Sequence, residues 1–256
     1  QVVVPPHLGA STTEAQDRAG TDVAKSVLLA LAGEFVPEAV NVSGGAVGEE
    51  VAPWLDIVRK QGVLLGALSD ELPTSLSVDV RGELASEDVD ILKLSALRGL
   101  FSAVIEDAVT FVNAPSLAEE RGVTADVTKA SESPNHRSVV DVRAVYGDGT
   151  VVNVAGTLTG PQHVEKIVNI NGRNFDLRAE GKNLIVTYDD RPGSLGRIGT
   201  ALGDAGVDIA AAALSQDAEG GGATILLRVD RDVAQDVRDA IAASVGATTI
   251  ELVDLS

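Results

Sequence analysis

Residues 182–256 carry the pattern that most restricts the fold of this chain. Residues 183–189 read as a strand, and the helix pattern after them ends at Gly206, the residue type that most readily closes a helix. A second strand leads to three consecutive glycines at 220–222, which turn the chain into a third strand. A second helix pattern and a fourth strand complete the region. The pattern therefore predicts a compact unit of four strands and two helices.

The order of these elements is that of a ferredoxin-like βαββαβ module. The preceding residues 45–181 alternate helix patterns with mostly antiparallel strands, two of which are joined by the turn Gly147-Asp148-Gly149. Helix patterns cover 49–65 and 87–113, and strand patterns cover 75–84, 123–129, 138–146 and 150–159. The chain is therefore predicted to belong to the α+β class.

The first 44 residues predict only a short strand and one helix. Pro5 and Pro6 stop the strand. Ser11 and Glu14 then have the spacing of a capping box, and an apolar residue recurs every four positions after them. We expect this helix to pack through its apolar face.

Three domains are expected, at 1–44, 45–181 and 182–256, with the first boundary at Ser43-Gly44-Gly45. The chain contains no methionine and opens on a strand that is already under way, so we expect residue 1 to be a cut within a longer protein. The first domain is then the remnant of a larger one.

The charge of the chain excludes several classes of partner. Twenty Lys and Arg residues against 38 Asp and Glu residues give a net charge of −18, which repels nucleic acid phosphates and anionic lipid surfaces. Cysteine is absent and only three histidines are present, so no metal site is expected. No apolar run is long enough to cross a membrane, and no signal peptide is recognisable. We therefore expect a cytoplasmic protein that binds neither nucleic acid nor membrane.

The loop at 189–195 is a candidate binding site for a small zwitterion. It places the Asp190 carboxylate beside the N-terminus of the next predicted helix. Backbone N–H groups at a helix N-terminus favour an anion, whereas a carboxylate accepts hydrogen bonds from an ammonium group. The alternative is that Asp190 only caps the helix, which is the more common role of such a residue.

Several motifs carry a resemblance to known families. The sequence DRPGSL at 190–195, within the six-element order, resembles the ACT domain, a family of regulatory modules that bind amino acids, often across a dimer interface. PHLGAST at 6–12 and VPEAVN at 36–41 resemble the end of the catalytic region of D-2-hydroxyacid dehydrogenases. Together with SESPNHR at 131–137 and NGR at 171–173, nearly the whole chain resembles the C-terminal half of the long-form D-3-phosphoglycerate dehydrogenases of actinobacteria.

The resemblance implies a catalytic role for His7 in the complete enzyme. There it would exchange a proton with the substrate hydroxyl while hydride moves to or from NAD, a task that suits the pKa of imidazole. The partner carboxylate, the substrate arginine and the dinucleotide-binding fold would all precede residue 1. The glycines at 44–48 lack the preceding strand and the later acidic residue of a nucleotide loop. We therefore expect this chain alone to bind no NAD and to be inactive.

The resemblance also implies that serine is the effector bound by the ACT domain. Tyr188 and Asp190 stand at the positions expected to contact it, and Asp208 stands where the family commonly has an asparagine. An asparagine both donates and accepts hydrogen bonds, whereas an ionised aspartate only accepts them and repels the ligand carboxylate. We expect serine to bind, but more weakly than it would with asparagine at position 208.

A second site, for phosphate or the phosphorylated substrate phosphohydroxypyruvate, is implied in the middle domain. Basic residues are scarce in this chain, and Lys and Arg bind phosphate through charge-assisted hydrogen bonds. The candidates are Arg137, Lys166, Arg173, Arg178 and Arg228. The alternative is that these are solvated charges or partners of the abundant carboxylates.

The function implied is that of the regulatory C-terminal part of an NAD-dependent oxidoreductase of serine biosynthesis, assembled as a homotetramer through its ACT and intervening domains. The alternative is an amino-acid sensor without enzymatic activity, or a regulatory subunit like that of serine dehydratases. A Gly-rich nucleotide fingerprint upstream of residue 1 in the parent reading frame would favour the dehydrogenase.

Overall fold

The structure, a computed structural model, describes residues 12–32, 35–36, 39, 47–217 and 220–256. The helices described are α1 (Thr13–Leu31), α2 (Trp54–Ala67), α3 (Leu92–Ser102), α4 (Ala114–Arg121), α5 (Ser194–Asp204) and α6 (Gln235–Val245). The strands described are β1 (Ser75–Gly82), β2 (Thr124–Ala130), β3 (Ser138–Val145), β4 (Val151–Thr159), β5 (Val164–Ile170), β6 (Arg173–Arg178), β7 (Lys182–Asp189), β8 (Ile209–Gln216), β9 (Gly222–Val229) and β10 (Ala247–Asp254). They form a six-stranded and a four-stranded sheet, which confirms the α+β class.

The six-stranded sheet has the order β2-β1-β3-β4-β5-β6, and its one parallel pair among the described strands is β1–β2. Alternate residues of β1 and β3 are buried beneath α2 and α3, as expected for a sheet with one covered face. The helices α2 and α3 approach each other at Gly62 and Gly99, where a Cβ atom would meet the backbone of the other helix. This region holds the larger hydrophobic core.

The four-stranded sheet has the order β10-β7-β9-β8, and its elements follow the predicted βαββαβ order. One face packs against α5 and α6 around buried residues such as Leu184 and Ile198. The opposite face contributes Ile185, Leu226 and Val253 to the core of the six-stranded region. The two regions therefore share one continuous apolar contact.

One prediction about the middle region was wrong in extent, and two strands of that region were missed. The helix predicted at 87–113 is only α3, and a separate α4 follows it. Asn113 accepts a hydrogen bond from the Thr110 backbone N–H at 2.7 Å and donates to the Ala108 carbonyl at 3.0 Å, local contacts that compete with a continuing helix. The strands β5 and β6, joined by a turn at Asn171-Gly172, were not predicted.

The N-terminal helix is present, but its apolar face does not pack. Its N-cap is Thr12, whose Oγ1 accepts a hydrogen bond from the Ala15 N–H at 3.2 Å. Ser11, which the sequence predicted in the capping role, lies outside the described residues. None of the residues of α1 is buried, and Val23 and Leu28 are 63% and 67% exposed. The predicted opening strand, His7 and the first domain boundary lie outside the described residues.

Two further observations concern the part of the chain that the structure describes. None of its helices is long and apolar enough to cross a membrane. Within the same residues, no group of three or more histidine, aspartate or glutamate side chains is arranged to hold a metal ion.

Candidate functional site

The loop between β7 and α5 forms one wall of a pocket of about 320 Å³. Tyr188 at the end of β7 and Asp190 in the loop line it on one side, and Leu214 and Gln216 of β8 line it on the other. The chain turns into α5 at Gly193, whose φ of 89° is strained for any residue with a Cβ. The pocket therefore combines a helix N-terminus with polar side chains from two strands.

Tyr188, which lines this pocket, carries a hydroxyl group that has no hydrogen-bond partner among the described residues. The residue is 2% exposed, and its OH is among the buried polar atoms for which the described residues provide no partner. Burial raises the pKa of Tyr188 above its usual value, and the nearby Asp190 carboxylate raises it further. The hydroxyl therefore stays protonated and is available as a donor.

The Asp190 carboxylate is held by a residue that the sequence analysis missed. Gln216 Nε2 donates to Asp190 Oδ2 at 2.5 Å, across from β8 to the loop. The N-cap of α5 is Gly193, and no side chain caps this helix, so the capping alternative for Asp190 is not what the structure shows. Sequence alone gave no signal for Gln216, because its contact depends on how β8 is placed beside the loop.

Asp208 lies far from this pocket within one chain. It precedes β8, whose other end carries Gln216, so about 25 Å of strand separates the two ends. The Asp208 side chain is exposed, and its backbone N–H donates to Asp230 Oδ1 at 2.9 Å. The structure therefore brings Tyr188 and Asp190 together but leaves Asp208 at the opposite end of the sheet.

Three of the candidate anion-binding residues gather where β6 leads into β7. Lys166 of β5 and Arg178 of β6 stand directly opposite each other in the sheet register. Lys166 Nζ lies 2.6 Å from Asp176 Oδ1. Arg228 of β9 pairs with Glu180, two residues after Arg178. Positive charge is therefore concentrated around the linker, with a carboxylate close to two of the three cations.

The other two candidates lie elsewhere. Arg173 begins β6, about 16 Å of strand away from Arg178, and its Nε lies 2.5 Å from Asp217 Oδ1 after β8. Arg137 is 80% exposed in its side chain and lies 2.6 Å from Glu83. Arg137 lines a separate open cavity of about 850 Å³. The structure therefore does not join these two residues to the cluster at the linker.

The described residues do not fit a dinucleotide cofactor. Dinucleotide-binding folds place the pyrophosphate at a helix N-terminus above a parallel sheet of several strands. In the described part of the chain, β1 and β2 form the one parallel pair and the other pairs are antiparallel. A site for NAD would have to be built by other residues.

Two known families match this chain, one in the region of the six-stranded sheet and the other in the region of the four-stranded sheet. Residues 50–171 match the family described as the D-3-phosphoglycerate dehydrogenase intervening domain. Residues 182–246 match the ACT domain family. The first match covers most of the six-stranded region and the second covers α5, α6 and the strands β7 to β9.

The similar proteins are named D-3-phosphoglycerate dehydrogenase. The chain is 77% identical over all its 256 residues to the protein of Mycobacterium tuberculosis and 75% identical to that of Mycobacterium leprae, covering 48% of each. It is 30% identical over 244 residues to the protein of Methanocaldococcus jannaschii, covering 94% of this chain and 45% of that relative. The chain spans about half the length of the curated relatives it matches and corresponds to the C-terminal half of the mycobacterial proteins.

Proposed function

Because this chain belongs to the D-3-phosphoglycerate dehydrogenase family, through an intervening domain and an ACT domain, we propose that it forms the regulatory C-terminal part of such an enzyme. In this proposal, the complete enzyme oxidises 3-phosphoglycerate to 3-phosphohydroxypyruvate with NAD, for serine biosynthesis in the cytoplasm. Residues 1–44 complete the catalytic region and supply His7 as its acid/base residue. The domains at 45–181 and 182–256 regulate it and assemble a homotetramer.

The ACT pocket binds L-serine in this proposal, and the unpaired hydroxyl of Tyr188 is the observation that carries it. A buried hydroxyl without a partner costs stability, and a ligand carboxylate supplies the missing acceptor. Asp190, on the same wall of the pocket, accepts from the ligand ammonium group. The N-terminus of α5 adds partial positive charge on the carboxylate side. One small zwitterion therefore satisfies groups of both signs.

Calorimetric titration of the full chain with L-serine tests the effector site. We expect binding that falls at least ten-fold in Asp190→Asn, because the ammonium group loses its charged acceptor. Asp204→Asn is the matched control, since Asp204 is an exposed carboxylate at the end of α5 and does not line the pocket. Equal affinity in the two variants would contradict the site.

Asp208 has a role in this proposal only if a second copy of the chain supplies it. Its position at the far end of β8 leaves it outside the pocket of its own chain. The proposal therefore includes a dimer with two-fold symmetry in which Asp208 of the second copy lies beside the pocket. We expect Asp208→Asn to bind serine about five-fold to a hundred-fold more tightly, as a matched hydrogen bond replaces a repulsive carboxylate. Equal or weaker binding would contradict this role.

The cluster of Lys166, Arg178 and Arg228 binds phosphate or phosphohydroxypyruvate in this proposal. An anion replaces the carboxylates of Asp176 and Glu180 as the partner of these cations. Phosphate titration of Lys166→Ala combined with Arg178→Ala is expected to show at least a ten-fold loss, and binding by the parent chain weakens with salt. Lys93→Ala combined with Arg121→Ala removes the same charge from α3 and α4 and serves as the control. If phosphate affinity does not change when both Lys166 and Arg178 are replaced, these two residues do not form the anion site.

Catalysis is expected to require the remainder of the enzyme. The described residues do not fit NAD, and His7 alone supplies neither a cofactor site nor a substrate arginine. The purified chain is therefore expected to show no NAD reduction that depends on 3-phosphoglycerate. Turnover by this chain that His7→Ala abolishes would overturn the assignment of the domains.

A further inference from the structure

Asn183, the second residue of β7, carries a buried acceptor that has no hydrogen-bond partner among the described residues. The residue is 2% exposed, and no donor reaches its side-chain oxygen Oδ1. Its Nδ2 donates to the Glu180 carbonyl at 3.1 Å and to the Gly181 carbonyl at 2.9 Å. These two bonds fix the orientation of the amide, because a rotated amide would turn Oδ1 toward two other oxygen atoms. The unpaired atom is therefore an acceptor.

The Asn183 amide and the Arg228 guanidinium group meet at the linker between β6 and β7. The two residues are register partners on β7 and β9, so their side chains lie on the same face of the ACT sheet. A Cβ atom on Gly181 would lie 3.9 Å from Arg228 Cδ, and the guanidinium group pairs with Glu180. Both head groups thus contact the same two linker residues, which places Oδ1 beside a cation of the proposed anion site.

An acceptor beside cations distinguishes between anions of equal charge. The cations Lys166, Arg178 and Arg228 supply only donors, which the oxygens of any oxyanion can accept. Asn183 Oδ1 offers only lone pairs, so it repels an anion oxygen without a hydrogen but accepts from an anion hydroxyl group. A site built around a hydroxyl group rejects an analogue that lacks it, since the buried acceptor then stays unpaired.

We propose that Asn183 Oδ1 is a specificity-determining acceptor of the anion site, where it selects an oxyanion that carries its own hydroxyl group. This inference rests on the proposed function, because it needs an anion to bind at Lys166, Arg178 and Arg228. The anion takes the place of the Glu180 carboxylate, whose side chain is 52% exposed, and its hydroxyl group then donates to Oδ1. Hydrogen phosphate belongs to this class of anion, and sulfate does not.

The test is calorimetric titration of the full chain with inorganic phosphate and with sulfate, at pH 8 and constant ionic strength. Both ions are then mainly dianions of similar size, but only phosphate keeps an O–H group. We expect phosphate to bind at least about five-fold more tightly than sulfate. Arsenate and selenate repeat the comparison with larger ions, because only hydrogen arsenate carries a hydroxyl group. We expect the same preference in this second pair.

Asn183→Leu removes the acceptor and keeps the three cations, so we expect the preference for phosphate to fall toward none while sulfate still binds. Asn174→Leu is the matched control, since Asn174 is an exposed asparagine of β6 outside the cluster. Asn183→Leu also loses the two bonds to the linker. Should it fail to fold, NMR of the parent chain decides, because phosphate is expected to shift the side-chain amide signals of Asn183 and sulfate is not.

The outcomes separate this inference from the proposed function. If neither phosphate nor sulfate binds the parent chain, the proposed anion site fails and the role of Asn183 fails with it. If sulfate binds as tightly as phosphate or more tightly, the role of Asn183 alone is wrong. The role is equally wrong if Asn183→Leu keeps the preference of the parent chain, or if sulfate shifts the amide signals as much as phosphate does.

Discussion

The two helix layers of the molecule use glycine in opposite ways. In the six-stranded region, Gly62 and Gly99 let α2 and α3 touch backbone to backbone, and a Cβ on Gly99 would lie 1.8 Å from the Arg59 carbonyl oxygen. In the ACT region, a Cβ on Gly196 or Gly199 of α5 would meet no atom within 4 Å. The first layer is therefore a close-packed scaffold, whereas the second leaves one side of the helix beside the pocket open.

The two sheets also differ in where their polar groups lie. The ACT sheet is covered on one face by α5 and α6 and on the other by the six-stranded region. Its polar contacts, such as Asp190–Gln216, accordingly lie at the ends of its strands. The six-stranded sheet has an open face, where Asp79 and Asp141 stand opposite each other on β1 and β3. Amino-acid binding is thus expected at the ends of the ACT strands, whereas the free energy of unfolding is expected to depend on the close-packed six-stranded region.

The strongest test of this difference replaces one glycine in each helix layer with a larger residue. Gly99→Val is expected to destabilise the six-stranded region by at least about 3 kcal/mol, because α3 cannot stay in contact with α2. Gly199→Ala in α5 is expected to stabilise the ACT region by up to about 1 kcal/mol, since it favours helix without a clash. Urea unfolding followed by fluorescence of Trp54, the one tryptophan of the chain, reports on the six-stranded region. Similar transitions for the two variants would refute the contrast.

A smaller effect is expected from Gln61, which is fully buried beneath the six-stranded sheet. Its Nε2 donates to the Val140 carbonyl at 2.7 Å and to the Val154 carbonyl at 2.8 Å. Gln61→Met keeps the bulk but removes both bonds, so we expect a loss of about 2 kcal/mol in urea unfolding. Serine affinity is expected to stay the same. A stable variant would show that the two strand carbonyls do not need this donor.

Tyr188→Phe is the counterpart in the ACT region. Because the Tyr188 hydroxyl has no partner among the described residues, its removal is expected to leave the free energy of unfolding unchanged or slightly raised. Serine affinity is expected to fall about ten-fold, or about 1.5 kcal/mol, through loss of a hydrogen bond to the ligand carboxylate. Calorimetry and thermal unfolding of the same sample separate the two effects. A loss of stability without a loss of affinity would make Tyr188 a structural residue only.

The smallest effect is expected on the open sheet face. Burial raises the pKa of Asp141, and the opposing Asp79 charge raises it further, although Asn153 donates to the carboxylate at 3.1 Å. Because the pKa of Asp141 is higher in the folded state than in the unfolded state, the free energy of unfolding falls as the pH rises from the unfolded-state pKa to the folded-state pKa. Asp141→Asn is therefore expected to stabilise the protein by about 0.5 kcal/mol at pH 7, and not at all below the ordinary carboxyl pKa. Asp126→Asn, on the exposed edge strand β2, is the control.

The sequence predicted the ACT region closely and the middle region only in part. Residues that end helices or strands, such as Gly206, mark the limits of the ACT elements. Between these limits, the spacing of the apolar residues fits only one type of secondary structure. At 103–113 the chain contains neither Gly nor Pro, and its apolar residues fit a helix as well as the irregular segment observed. A signal for β5 and β6 was present in Asn171-Gly172, since both residues adopt positive φ and this pair favours a tight hairpin.

The candidate site follows the same division. Asp190 was predicted from the loop that carries it and Tyr188 from the resemblance to the ACT family, and both residues line the pocket. Gln216 and the carboxylate partners of the arginines were not predicted, because they approach only when separate elements are placed side by side. Local pattern indicates which residues have suitable chemistry, whereas the three-dimensional arrangement decides which of them meet.

The parallel pairing of β1 with β2 has a consequence for the order in which the chain folds. The strands β3 to β6 are joined by short turns, so their pairing closes small loops and forms early. In contrast, β2 is an edge strand that pairs only with β1, and the long connection between these two strands contains α3 and α4. This parallel pair therefore forms only after the connection has folded across the sheet. We expect the amide hydrogens of β2 to exchange with solvent ahead of those of β3, and the strand to be the last of the sheet to gain protection during refolding.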